Sequence, residues 1–184
     1  MPSLDGSVPR VRTLVLGGAR SGKSAHAEGL LTDDLATYVA TARRIPGDAE
    51  WDTRIAKHVA QRPPGWHTVE TTEVAELVRD AAPGDPPILV DDLATWLTGE
   101  LDDARAWDGP VEPVRARVAE LVEAVGGCRA RLVLVSAEVG LGVVPQTRSG
   151  RLFRDELGAL NAAVAQACDE VLLLVAGLPV RLKG

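Results

Sequence analysis

The run Thr13-Leu14-Val15-Leu16 leads straight into Gly17-Gly18-Ala19-Arg20-Ser21-Gly22-Lys23-Ser24, and an apolar-periodic segment leaves it. This order constrains the fold more than any other feature of the chain. The eight residues match G-x-x-x-x-G-K-[ST], a loop whose backbone N–H groups turn inward around phosphate. Glycines serve there because a side chain would block either the turn or the approach of the anion. A helix opening at Ser24 adds the partial positive charge of its N-terminus. In this pattern Lys23 reaches the outer phosphates and Ser24 ligates Mg²⁺. Gly17, Gly18, Ala19, Arg20, Ser21, Gly22, Lys23 and Ser24 are therefore all read as nucleotide-binding. A chance glycine-rich turn would lack the buried-looking strand before it and the amphipathic helix after it.

Similar strand-like runs recur in "ATYVATA", "PPILVDD", "ARLVLVSAE" and "DEVLLLVAG". They are apolar without alternation, the mark of strands buried on both faces of a parallel sheet. Helical spacing predicts helices over 24–31, 72–81, 112–125 and about 151–168, and His67 falls in a short strand. Turn chemistry breaks the chain at 83–87, 102–113 and 177–179. The expected class is α/β, a P-loop NTPase-like (RecA-like), mostly parallel sheet flanked by helices. A length of 184 residues suits one such domain over 11–184, after a disordered extension over 1–10.

A net charge of −6 argues against a nucleic-acid partner or an anionic membrane surface. The longest apolar stretch, "VLLLVAGLPV", is too short to span a bilayer, and "MPSLDGSVPR" lacks the apolar run of a signal peptide. Cys128 and Cys168 are far apart and form no CxxC pair. A cytoplasmic protein is the simplest reading.

Nucleotide loops of this kind usually have a carboxylate at the end of a neighbouring strand, and "ILVDD" offers Asp91 and Asp92. Successive strand residues face opposite ways, so Asp91 is expected at the ligand, as metal ligand or as base. Asp92 suits the N-cap of the next helix. In "AEWDTRIAKHVAQRPPGW", Trp51, Ile55, His58, Val59 and Arg62 share one face of a helix, and by periodicity alone His58 reads as a packed histidine. Glu138 in "EVGLGVVP" follows a strand and lies where a loop can reach a ligand; an ordinary turn is the competing reading. Arg148, Arg151 and Arg154 recur every third residue, as an anion cradle or as a solvated helix face.

From Arg12 to Lys183 the chain resembles the bifunctional adenosylcobinamide kinase / adenosylcobinamide-phosphate guanylyltransferase family. The resemblance is carried by "GGARSGKS", "YVATA", "DAEWDTRIAKHVAQRPPGW", "EVGLGVVP" and "RLFRDELGALN" in that order. It departs from the family at Asp92, where cysteine is usual, at Gly99, where asparagine is common, at Ala162, and at Lys57, where a second histidine is often found. The resemblance implies that His58 becomes covalently guanylylated. A neutral imidazole can attack the α-phosphorus of GTP and expel pyrophosphate. It further implies catalytic roles for Lys23 and Asp91, metal ligation by Ser24 and Asp91, and nucleotide binding by Arg62, Glu70 and Asp91. Mg²⁺ as cofactor, GTP and ATP as substrates, adenosylcobinamide as acceptor and a homo-oligomer of trimer type follow from the same likeness.

The implied activity is sequential, a phosphorylation of adenosylcobinamide followed by transfer of GMP to give adenosylcobinamide-GDP. A plain small-molecule P-loop kinase, with His58 as packing, is the nearest alternative. A GTP-binding regulatory module is the other, but the string N-K-x-D that such modules use for guanine is missing.

Overall fold

In the computed structural model, residues 11–43 and 62–184 are described. The expected extension over 1–10 and the segment carrying His58 lie outside them. Seven strands form one sheet in the order β3-β2-β4-β5-β1-β6-β7. They are β1 (Arg12–Gly17), β2 (Ala36–Ala40), β3 (Trp66–Glu70), β4 (Ile88–Asp91), β5 (Leu132–Ala137), β6 (Glu170–Val175) and β7 (Leu178–Lys183). The first six pair in parallel, and β7 pairs antiparallel with β6. The five described helices are α1 (Lys23–Gly29), α2 (Val74–Asp80), α3 (Leu93–Asp103), α4 (Glu112–Gly127) and α5 (Arg148–Ala167).

Alternate residues of the central strands feed two cores, as burial on both faces of a sheet demands. Leu14, Leu16, Ile88, Val90, Leu132 and Leu134 pack under α2 to α5. Val15, Leu89, Val133 and Val135 face the other way, with Ala27 of α1 and Tyr38 of β2. The mostly parallel α/β sheet expected from the uninterrupted apolar runs is thus present. Strand β7 was not foreseen, because Gly177 and Pro179 read as a break. The chain instead turns at Ala176 and Gly177, both at positive φ, and Pro179 sits on the edge strand, where its missing N–H costs no ladder bond. Helix α5 begins at Arg148, a turn earlier than its apolar periodicity suggests, because Thr147 caps it through Gly150 N.

One ion pair ties the start of β1 to the start of β6. Arg12 donates to Asp169 through Nε at 2.9 Å, Nη2 at 2.6 Å and the backbone N–H at 2.9 Å. The hydrogen bonds from Arg12 hold the Asp169 carboxyl down at about 2, against an ordinary 3.8. The folded-state value is depressed, so its stabilisation is complete above about pH 4 and lost as pH falls towards 2. Asp169→Asn should cost about 1 kcal/mol at neutral pH, a modest figure because the pair is partly solvated. Urea midpoints of variant and wild type should converge on acidification; a gap that is constant with pH would refute the assignment.

Candidate active site

At its C-terminal end β1 delivers Gly17, and the five residues from Gly18 to Gly22 join it to α1. A Cβ added to Gly17 would lie 2.3 Å from Ser21 Oγ and 3.2 Å from Leu174 O, so no larger residue fits there. Gly22, the residue before α1, has φ 87°, a left-handed conformation suited to glycine, and Arg20 also lies at positive φ. Within the loop Ser21 N donates to Gly18 O at 3.2 Å, and His26 N to Gly22 O at 2.9 Å. Among the described residues the buried Ser21 hydroxyl has no hydrogen-bond partner. Lys23 Nζ lies 3.4 Å from Gly18 O, which holds the ammonium over the loop.

The β6–β7 turn supports this loop from behind, Gly177 N donating to Ser21 O at 3.1 Å. On the other flank Glu138 N donates to Gly17 O at 3.1 Å. The end of β5 is fixed in turn by buried Asn161, whose Nδ2 donates to Ala137 O at 3.0 Å while Oδ1 accepts from Ser136 Oγ at 2.6 Å.

Helix α1 crosses β5 and reaches the end of β4, so Ser24 meets Asp91. Ser24 Oγ donates to Asp91 Oδ1 at 3.2 Å, and Tyr38 OH to Asp91 Oδ2 at 2.7 Å. Burial pushes the Asp91 carboxyl above its usual range; the Tyr38 bond opposes this, Asp92 reinforces it, and Ser24 and Lys23 oppose it more weakly. Burial together with Asp91 also pushes Tyr38 up, so its phenol stays a donor. Asp92 turns away and accepts from Thr95 N at 2.7 Å, capping α3 as its position before the helix suggested, while Asp91 faces Ser24.

Tyr38 is a member of this site that sequence reasoning passed over. Its signal was available in the register of "YVATA", since Tyr38 lies two residues before the strand end and on the α1 face. Arg62 stacks on it, with Cζ 3.2 Å from the ring centroid. The Arg62 side chain is only 7 % exposed; Nε lies 3.7 Å from Glu28 Oε1 and Nη1 3.3 Å from Thr68 Oγ1. In the described residues Arg62 therefore reaches the site through Tyr38 and Asp91.

Tyr38→Phe keeps the ring and removes the donor. The folded-state pKa of Asp91 is already raised above 3.8, so its ionisation costs stability as pH rises. Losing the Tyr38 bond raises it further. In metal-free buffer the variant should be nearly as stable as wild type near pH 4 and less stable by about 1–2 kcal/mol at pH 7. A urea series across that range reads the difference; equal gaps at both ends would mean that the bond does not favour the carboxylate.

Glu70 ends β3 beside Ala40 of β2, and with Thr41, Arg43, Thr71 and Thr72 it lines a cavity of about 460 Å³. The cavity abuts the strand bearing Asp91, because Thr41 Oγ1 donates to Asp92 O at 2.8 Å. Arg43 ion-pairs with Asp103 and lies across Gly99, where an added Cβ would stand 2.8 Å from Arg43 Nε. The glycine at this position thus makes room for the arginine. Glu138 Oε1 accepts from Gly140 N at 2.6 Å, which ties the carboxylate to the backbone of its own segment. The arginine row is mainly structural, Arg148 pairing with Asp108 at 3.2 Å and Arg151 and Arg154 donating to loop carbonyls.

The structure thus brings together Gly17 to Ser24, Asp91 and, behind Tyr38, Arg62, with Glu70 on the adjoining cavity wall. His58 lies outside the described residues. No helix among those described is long and apolar enough to cross a membrane.

A family model described as cobinamide kinase / cobinamide phosphate guanyltransferase matches residues 13–182. The bifunctional adenosylcobalamin biosynthesis protein CobP of Pseudomonas aeruginosa is 44% identical over 179 residues, covering 95% of this chain and 98% of its own. The proteins named CobU from Escherichia coli and Salmonella typhimurium are 38% and 39% identical, each match covering 92% of this chain and 98% of theirs. Among solved structures, an ATPase of a bacterial type III secretion system superposes with a TM-score of 0.58 at 15% identity, over 90% of this chain and 51% of its own. The secretion ATPase EscN of enteropathogenic E. coli gives a TM-score of 0.54 at 14% identity, over 90% of this chain and 43% of its own. At such identities the likeness is one of fold.

Proposed function

The chain belongs to the cobinamide kinase / cobinamide phosphate guanyltransferase family, and from that premise we propose that it phosphorylates adenosylcobinamide and then guanylylates the product. The observation that carries the reading is the 3.2 Å contact between Ser24 Oγ and Asp91 Oδ1, which joins the phosphate loop to a buried strand-end carboxylate. A serine hydroxyl and a carboxylate converging beside a phosphate loop are hard oxygen donors, the set that Mg²⁺ takes. Bound there, Mg²⁺ would neutralise phosphate charge. Ser24 and Asp91 are the residues that would hold it.

In the kinase step the acceptor hydroxyl attacks the γ-phosphorus of ATP or GTP, the bond to the β–γ bridging oxygen breaks, and the nucleoside diphosphate leaves. The hydroxyl proton must pass to a base, and Asp91, with its raised pKa, is the proposed acceptor when it is not ligating metal. The backbone N–H groups of the loop from Gly18 to Lys23, apart from that of Ser21, which is bonded to Gly18 O, and the Lys23 ammonium orient the phosphates and offset their charge. Arg62, through Tyr38 and Asp91, fixes the carboxylate, and Glu70 faces the nucleoside from the adjoining cavity. In the transferase step an imidazole nitrogen of His58 attacks the α-phosphorus of GTP and pyrophosphate leaves. The phosphate oxygen of adenosylcobinamide phosphate then displaces the histidine from phosphorus. The proposal includes a cytoplasmic location, where nucleoside triphosphates are found, and the trimeric self-association that the family resemblance implies.

The test incubates the protein with adenosylcobinamide and GTP labelled at either the α- or the γ-phosphate. γ-Label should move to the acceptor. α-Label should survive denaturation on the protein, be lost in mild acid and persist in alkali. Transfer of γ-label with no α-label on protein or product would instead establish a plain kinase.

A further inference from the structure

The segment from Glu138 to Thr147, between β5 and α5, displays three aliphatic side chains in water: Leu141 is 83 % exposed, Val143 95 % and Val144 59 %. Val139, in the same segment, packs against the main core, so the segment divides into an anchored start and an outward apolar tip. The backbone on either side of this tip is held in place. Glu138 Oε1 accepts from Gly140 N at 2.6 Å, Arg154 Nη2 donates to Gly140 O at 3.0 Å, and Arg151 Nη1 donates to Pro145 O at 3.1 Å and Gln146 O at 2.7 Å. Thr147 Oγ1 closes the segment by accepting from Gly150 N at 3.1 Å. A loop fixed by five side-chain hydrogen bonds yet holding large aliphatics away from the core is pre-organised for an apolar contact.

Position decides what that contact is. The loop leaves β5, the parallel neighbour of β1, and its first N–H, Glu138 N, donates to Gly17 O of the phosphate loop at 3.1 Å. The segment therefore begins beside the start of the phosphate loop, on the C-terminal edge of the parallel sheet where ligands of such folds are met. The side chains of its tip are aliphatic and uncharged, which suits neither a triphosphate nor a ribose. The acceptor in the proposed reaction is a corrinoid, a macrocycle studded with methyl groups and amide arms and far larger than a cavity of about 460 Å³. A ligand of that size has to lie on a surface next to the loop, with only its aminopropanol arm entering.

We propose that Leu141, Val143 and Val144 form the docking surface for the methyl-bearing periphery of the corrinoid acceptor, setting the aminopropanol hydroxyl towards the phosphate loop. This inference rests on the family reading above and adds the acceptor subsite. The nearby arginines act on it only as positioning residues, by holding the loop carbonyls.

The test compares wild type with the triple variant Leu141→Ser, Val143→Ser, Val144→Ser and with the single variant Val143→Asn, whose site is too exposed to affect folding. Four quantities are read: KM for adenosylcobinamide in the kinase assay, its Kd from the corrinoid visible spectrum, nucleotide Kd, and solution mass. The triple variant should raise both acceptor constants about tenfold or more, and the single variant by a smaller factor in the same direction, from the apolar area lost. Nucleotide Kd and mass should not change. Unchanged acceptor constants, in a wild type that does turn over, would overturn the docking surface and leave the family reading intact. A fall in mass would overturn it in favour of contact between copies. A wild type that neither binds nor phosphorylates adenosylcobinamide would bring down the family reading, and this inference with it.

Discussion

Lys23→Ala is expected to lower kcat/KM for phosphorylation of adenosylcobinamide by about 10²–10³-fold while leaving the melting temperature unchanged. The magnitude is that of removing one preorganised charge-stabilising group from a phosphoryl-transfer site, about 3–4 kcal/mol. Lys23 is the first residue of α1, and its Nζ rests 3.4 Å from Gly18 O, so the ammonium is held over the loop rather than in a core contact. Little folding energy depends on it. Lys23→Arg should not restore the rate, because a broad planar fork cannot take the place of a compact ammonium inside a loop closed by Gly18 and Gly22. Steady-state kinetics with thermal melts of the three proteins read this directly. A drop of less than fivefold in Lys23→Ala would mean that the backbone N–H groups carry the phosphate charge by themselves.

Much of the architecture and of the phosphate site was legible in the sequence, for reasons local to each segment. The runs at Leu14–Leu16, Ile88–Val90 and Leu132–Val135 are apolar at every position, and a parallel sheet covered on both faces is the packing that buries them all. The loop was readable because its glycines answer to local geometry: Gly17 for lack of space, Gly22 for its φ. Asp92 was readable as the N-cap of α3, and Asp91, the last residue of β4, is the one that meets Ser24.

What was missed depends on contacts between segments distant in the chain. Tyr38 and Asp91 are fifty-three residues apart, and only the parallel pairing of β2 with β4 brings their ends together. Gly177 reaches Ser21 because β6 lies beside β1, a neighbour relation that no local pattern encodes. Strand β7 was hidden because its residues are exposed throughout, and Gly177 before it with Pro179 inside it mimics a terminating turn. The role of Gly99 emerged only with Arg43 lying across it and Asp103 beyond. Such contacts are tertiary: strand register can place Tyr38 on the α1 face, but composition and spacing do not say which distant segment it meets.

His58→Ala should divide the two chemistries. The kinase step presents the γ-phosphorus to a hydroxyl and has no use for a nucleophilic imidazole, so γ-label should still move to adenosylcobinamide at a rate near that of wild type. The transferase step joins two phosphates that repel each other, and an imidazole that first takes GMP replaces one difficult displacement by two easier ones. Without it, formation of adenosylcobinamide-GDP should fall by about 10⁴–10⁶-fold, the scale on which losing a covalent nucleophile acts, and no α-label should remain on the denatured protein. His58→Asn should behave like the alanine variant, since an amide has similar polarity but no nucleophilic ring nitrogen. The opposite pattern, with α-label retained in both variants, would move the nucleophile to another side chain. Loss of both activities together would show that His58 serves the nucleotide pocket as a whole, and that the two steps share a single arrangement of the triphosphate.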